Sequence, residues 1–191
     1  MKLLTACAML LLPLAAWAQD ADPAPAPEDS PPSEAAEPPP APRLGGLDVA
    51  VKASVLVPVW DSFDKFSPGG GIGAEIALPV AEGWRVTGSL DTSSVGLANQ
   101  TYYLTMARPG VRYDAFFGPT AFMSFQVEGG WVVATQRDLN IVDNRATAGA
   151  AASVSFYVGP HLNFRTELRY LEVFGILHAV MGSISFDVIG N

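Results

Sequence analysis

The chain has 191 residues, 49% of them hydrophobic, with 11 Lys and Arg against 19 Asp and Glu, two His, one Cys and a net charge of −8. No basic patch suits nucleic acid, one cysteine builds no disulfide framework, and no apolar stretch reaches the roughly 20 residues a membrane helix needs. The length fits one domain of ordinary size plus appendages.

Residues 1–18 carry the marks of a secretory signal: Lys2, the apolar run Leu3 to Leu14, and the small-x-small site Ala16-Trp17-Ala18. Cleavage is expected after Ala18. Cys7 precedes most of the apolar run instead of following it, so Leu4-Thr5-Ala6-Cys7 is a poor lipoprotein acylation site. The mature chain then has no cysteine and a net charge of −9, since Lys2 is the one charged residue removed. Export without a membrane helix leaves the periplasm, the outer membrane or the outside.

Residues 19–43 hold nine of the sixteen prolines, six acids and Arg43, and no aromatic residue. Such a segment buries too little apolar area to offset its ordering entropy, so a disordered linker is expected. At roughly 3.1 Å per residue it reaches about 75 Å when extended. It serves as a plain spacer or as a periplasmic tether that touches the cell wall or a partner.

From residue 44 onward the period changes to two. In 161–170, His161, Asn163, Arg165, Glu167 and Arg169 alternate with Leu162, Phe164, Thr166, Leu168 and Tyr170. Successive side chains leave opposite faces of a strand, so this alternation predicts a sheet. Strands are expected at 47–58, 69–79, 84–94, 101–116, 120–135, 145–158, 161–173 and 177–188. Tight turns fall at 80–83, Gly118-Pro119 and Gly159-Pro160. Longer connections are expected at 59–68, 95–100 and 136–144, with a short one near Val173 to Ile176. Long and short links at alternate ends predict an up-and-down barrel with both termini at the short-turn end.

One face of these strands is apolar, running from Val49, Val51 and Val55 to Val180, Ile184 and Phe186. Its aromatics near strand ends suggest two girdles: Trp84, Phe117, Phe156 and Phe186 at the short-turn end, Tyr103, Trp131 and Tyr170 at the other. The opposite face gathers Lys52, Glu75, Arg85, Asp91, Arg108, Arg112, Asp114, Glu128, Arg145, Arg165, Glu167, Arg169 and Asp187, seven positive and six negative. A soluble barrel hydrates its charged face. A membrane barrel turns it inward, where an eight-stranded wall leaves room only for side chains and buried charges must pair. The near neutrality of the set predicts a salt-bridged, partly hydrated plug. The glycines at 69–71 and 73, and the small run 146–152, make room for long neighbours. The stretch 69–73 opens a strand and lacks the third glycine of a dinucleotide site.

On these features residues 44–191 resemble the small eight-stranded outer-membrane β-barrels of Gram-negative-type bacteria, the group of the OmpA transmembrane domain and OmpX. Barrels of this group tend to end in Gly-x-apolar-x-aromatic-x-aromatic, read by the insertion machinery. Gly182, Ile184 and Phe186 match that pattern, while Val188 replaces the last aromatic. The resemblance implies an all-β, eight-stranded antiparallel transmembrane barrel in the outer membrane, behind a signal peptide and a disordered Pro-rich linker. It also implies outer-membrane lipid and the barrel-insertion machinery as partners.

No catalytic, cofactor or metal constellation emerges. His161 at a turn and His178 near the opposite rim lack metal-ligand spacing. A hydrolase set of His161, Glu167 and one of many serines lacks a nucleophile motif. Asp61, Asp64, Asp138 and Asp143, against Lys65 and Arg137, give the predicted outer loops a mild acidity that suits solubility. The expected role is structural or interactive. A narrow ion or small-solute channel, a lipid-modifying enzyme and a soluble lipocalin-like binder are the alternatives.

Overall fold

The computed structural model describes residues 46–98, 100–136 and 141–190. The predicted signal and linker, together with Arg137 and Asp138, lie outside the described residues. Eight long strands form the wall: β1 (Asp48–Pro58), β2 (Gly69–Ala81), β3 (Trp84–Leu97), β4 (Gln100–Phe116), β5 (Ala121–Gln136), β6 (Ile141–Gly159), β7 (Leu162–Val173) and β8 (Leu177–Ile189). Each pairs antiparallel with the next, and β1 pairs with β8 over eleven positions from Asp48↔Ile189 to Pro58↔Ala179, closing the barrel. A two-residue strand, Phe66–Ser67, adds to the far end of β3 at Gly96 and Leu97. No helix among the described residues is long and apolar enough to cross a membrane, which says nothing of the strands.

Both ends of the described chain lie at one rim, the terminal rim. The expected asymmetry of connections is largely absent, because β3 runs on to Leu97 and β6 starts at Ile141. Among the distal connections, only 59–68 is long. It holds a turn of 3-10 helix at Trp60–Ser62. Asp143, expected in a loop, stands on β6.

The wall follows the alternation. Outward positions on the strands are apolar, small or hydroxylated, except for Asn144, Glu172 and His178 toward the distal rim, among the described residues. Val51, Ile72, Leu90, Val127, Leu168 and Ile184 are all exposed. Small residues mark close approaches. The β4–β5 ladder breaks between Ala107↔Trp131 and Gly110↔Glu128, where Pro109 has no N–H to give. There a Cβ on Gly130 would collide with the Ala107 carbonyl and with the Arg108 Cα. On β2, a Cβ on Gly73 would occupy the space of the Asp91 carboxylate. The glycine thus makes room for a charge on the neighbouring strand.

The polarity of the wall shifts along β3, β4 and β5. Toward the terminal rim, apolar groups point out and polar ones in. Toward the distal rim, Thr92, Ser94, Thr101, Thr105 and Thr135 point out. There the inward positions carry Leu56, Val95, Leu104, Met106, Val132, Ala134, Leu171, Val173, Leu177 and Ala179, all buried, with Phe66, Tyr102 and Ile176 packed against them. Toward the distal rim the interior is apolar, and outward hydroxyls are interleaved with Val55, Tyr103 and Trp131.

Candidate functional site

Beneath the apolar distal cluster lies a layer of charge. Asp48, Lys52, Glu75, Arg85, Asp91, Arg108, Arg112, Asp114, Glu128, Arg165, Glu167, Arg169 and Asp187 all point inward, and none is more than 7% exposed. They form one connected network of six cations and seven carboxylates. Glu75 on β2 is its hub, reaching Lys52 Nζ at 2.5 Å, Arg165 at 2.9 Å, Arg112 at 3.2 Å and Arg169 at 3.8 Å.

Three branches leave that hub. Toward the distal side, Lys52 meets Glu167 at 3.7 Å, Glu167 meets Arg169 at 2.7 Å, and Arg169 meets Glu128 at 2.8 Å. Glu128 then holds Arg108 at 2.8 Å, which holds Asp91 at 2.5 Å. Toward the terminal rim, Arg112 bridges Asp48 at 3.2 Å and Asp114 at 2.9 Å, and Arg85 joins the same two carboxylates at 2.8 and 2.9 Å. A third branch runs from Arg165 to Asp187 at 3.2 Å. Ser124 donates to Asp114 at 2.6 Å and Ser185 to Asp187 at 2.8 Å. Bringing so many ions out of water is tolerable only because each has opposite charge beside it.

Twelve of the thirteen charges assigned to this face from sequence sit in the network. Arg145 does not. It shares the inward parity of Thr147, but β7 ends at Val173 opposite Thr147, so beside Arg145 the wall is present on the β5 side alone. Its guanidinium lies exposed and pairs with Asp143 at 2.9 Å. Asp48 was missed, although it shares a face with Lys52 four residues on. The apolar distal cluster was missed too, so charge fills only part of the interior. At the terminal rim, Phe122 packs inside against Phe116 at 5.2 Å and Tyr157 at 5.6 Å.

Trp84, Tyr103, Phe117, Trp131, Phe156 and Phe186 are exposed on the outer surface. Trp84 lies against Tyr113 at 5.0 Å near the terminal rim, and Phe186 against Phe164 at 5.5 Å. Tyr170 is half-buried instead, because Trp60 from the long distal loop covers it at 5.2 Å. The same indole meets His178 at 5.5 Å, and the Tyr170 hydroxyl is 2.9 Å from His178 Nδ1. Trp60 holds this place at φ 53°, a conformation that side chains seldom adopt. Gly182, Ile184, Phe186 and Val188 all point outward from β8.

The hydrolase set is not assembled. His161 is exposed in the β6–β7 turn, while Glu167 lies inside the barrel, engaged by Lys52 and Arg169. No group of three His, Cys, Asp or Glu able to hold a metal occurs among the described residues.

No protein-family model matches the chain, and no curated protein matches it in sequence. Solved structures do match. Neisserial surface protein A superposes with a TM-score of 0.61 at 14% identity, over 76% of this chain and 97% of that one. Ail, the attachment invasion locus protein of Yersinia pestis, gives 0.49 at 10% identity, over 74% and 95%. The outer membrane enzyme PagL gives 0.46 at 13% identity, over 73% and 98%. With its closed ring of eight antiparallel strands, the chain has the fold of the small eight-stranded outer-membrane β-barrels.

Proposed function

We propose that the protein is an integral outer-membrane barrel that acts as a scaffold and interaction surface, not as a pore or an enzyme. In this reading the signal exports the chain, the termini and the linker 19–43 lie in the periplasm, and the distal rim faces outward. Outer-membrane lipid covers the apolar wall, and the insertion machinery reads the β8 pattern. The observation that carries the reading is the stacking inside the barrel. An ionic layer in which every charge has an opposite neighbour lies beneath an apolar layer built from Leu56, Leu104, Met106, Val132 and Leu171. Water and ions would have to cross both, and an apolar constriction that excludes water blocks conduction.

The test is conductance in planar bilayers. Native protein, Arg108→Ala and Arg112→Ala should all give featureless traces, since the apolar layer remains in each. Steady single-channel steps from the native barrel would restore the channel reading.

A further inference from the structure

The distal connection 59–68 is clamped to the wall at His178. The Val59 amide donates to the His178 carbonyl at 2.8 Å, and the His178 amide donates to Ser62 Oγ at 2.9 Å. Within the loop, the Ser62 and Phe63 amides donate back to the carbonyls of Val59 and Trp60. This turn holds Trp60 at φ 53°. Its indole leans on the rings of Tyr170 and His178 and is still 66% exposed. A backbone outlier of this kind persists where its surroundings over-determine it, and ligand clamps are among such places. Burial of the indole does little to offset the strain here, because most of the ring stays open.

The chemistry beside the indole is anionic. Glu172 stands opposite His178 in the β7–β8 register and shares the outward face of β7 with Tyr170. It is the one acidic residue at an outward position of the strands among the described residues. The one exposed ion pair among them is Asp143–Arg145, so the Glu172 carboxylate has no cationic partner there. Asp61 follows Trp60 directly, and both it and Asp64 are exposed. We propose that Trp60, Tyr170 and Glu172 form a binding site for an organic cation, a quaternary or primary ammonium group. The face of an indole attracts a cation through the ring quadrupole, more strongly than the other aromatic side chains do. The carboxylate supplies the opposite charge.

The ring geometry suits a compact cation. Trp60 and Tyr170 meet at 59° with their centroids 5.2 Å apart, so the two rings form a corner, not a slot. A flat ligand needs parallel walls, whereas a rounded ammonium group fills a corner. The Tyr170 hydroxyl is 2.9 Å from His178 Nδ1, and that contact fixes the second ring in place. An anionic ligand would meet Glu172, Asp61 and Asp64 with Lys65 as the one nearby cation of the loop. The site lies on the outside of the wall at the distal rim, so the ammonium group comes from a neighbouring lipid headgroup or from a molecule in solution. The site rests on the interaction reading above and gives that surface a ligand class.

Full-length protein in nonionic maltoside micelles is titrated with choline, and binding is followed by NMR saturation transfer to the choline methyl protons. Native protein should bind with a dissociation constant of roughly 1–10 mM. The neutral carbon isostere of choline, with a tert-butyl group in place of the trimethylammonium, should bind about tenfold more weakly. Glu172→Gln should weaken choline binding about fivefold, and Trp60→Leu about tenfold. Glu172→Gln leaves the loop untouched, so it does not depend on the loop keeping its place without the indole. No saturation transfer up to about 50 mM choline, equal binding of the isostere, or undiminished binding by Glu172→Gln would each overturn the proposal. Nanodiscs separate the two sources, with both outcomes supporting the site. In phosphatidylglycerol discs free choline should bind as in micelles. In phosphatidylcholine discs, loss of that binding would name the lipid headgroup as the source, and its persistence a soluble molecule. Failure of the site leaves the scaffold reading standing, since conductance and the mobility of native protein in unboiled SDS gels decide that separately.

Discussion

Glu75 faces four cations inside a space without bulk water, and each of the three branches of charge begins at its carboxylate. Exchange for glutamine keeps the shape and removes the charge, leaving Lys52, Arg112 and Arg165 short of a counter-ion. Breaking one side of a buried pair costs about 3–5 kcal/mol. Glu75→Gln should therefore lower stability by about that amount, measured as the shift of the urea unfolding midpoint in micelles. A midpoint equal to that of native protein would mean the interior is wetter than its burial implies. Arg145→Ala should move the same midpoint by less than about 1 kcal/mol, because its pair with Asp143 is exposed. The contrast shows what parity told and what it withheld. Alternation placed both residues on one face. The difference between core and rim came from where β7 stops, a fact not encoded near residue 145. Asp48 was equally legible by parity with Lys52 and was passed over at the start of its strand.

At the scale of the element, period two marked all eight strands, because each face of this wall meets a different medium. The ends were harder. Residues 95–97 and 141–144 are rich in Gly, Asn and Asp or sit beside Ser, chemistry that favours turns, and both stretches are strand in the fold. The polarity exchange compounds the difficulty. Past Leu90 the apolar residues of β3 move from the outer to the inner face, as Val95 shows, so a pattern tuned to an apolar exterior fades there. Close approach also belongs to this scale. Gly130 lets β5 lie against the backbone of β4 beside Pro109. Gly130→Ala forces that backbone to shift and should destabilise by about 1–3 kcal/mol. Gly159→Ala, with open space around it, serves as the comparison. Equal unfolding midpoints for the two variants would refute the close-approach argument.

For the whole molecule, the decisive contacts span great lengths of chain. Arg165 on β7 reaches Glu75 on β2, ninety positions away, across the junction where β1 meets β8. No local pattern announces such a pair, which is why the sequence implied a plug without its wiring. The ring closes where β1 and β8 pair along eleven residues, and charges cross behind that seam. A closed barrel of this kind should resist SDS until boiled and migrate differently before and after heating. It should also stay in the membrane pellet after alkaline carbonate. Identical mobility together with carbonate release would mean that the apolar wall does not face lipid.

The exchange of polarity along the strands is also a measure of thickness. On β1 the outward apolar positions run from Val49 to Val57. Eight steps of about 3.3 Å, inclined by about 40°, give a belt of roughly 20 Å. On β3, β4 and β5 the hydroxyls of Thr92, Thr105 and Thr135 replace hydrocarbon above it, so the belt lengthens least along those strands. If the wall faces lipid as proposed, a bilayer with long acyl chains must thin around this barrel, at a fraction of a kcal/mol for each ångström of mismatch, whereas a thin one accepts it unchanged. In the membrane reading, the hydroxyls of Thr92, Thr105 and Thr135 on β3, β4 and β5 thus favour a membrane of matching thickness.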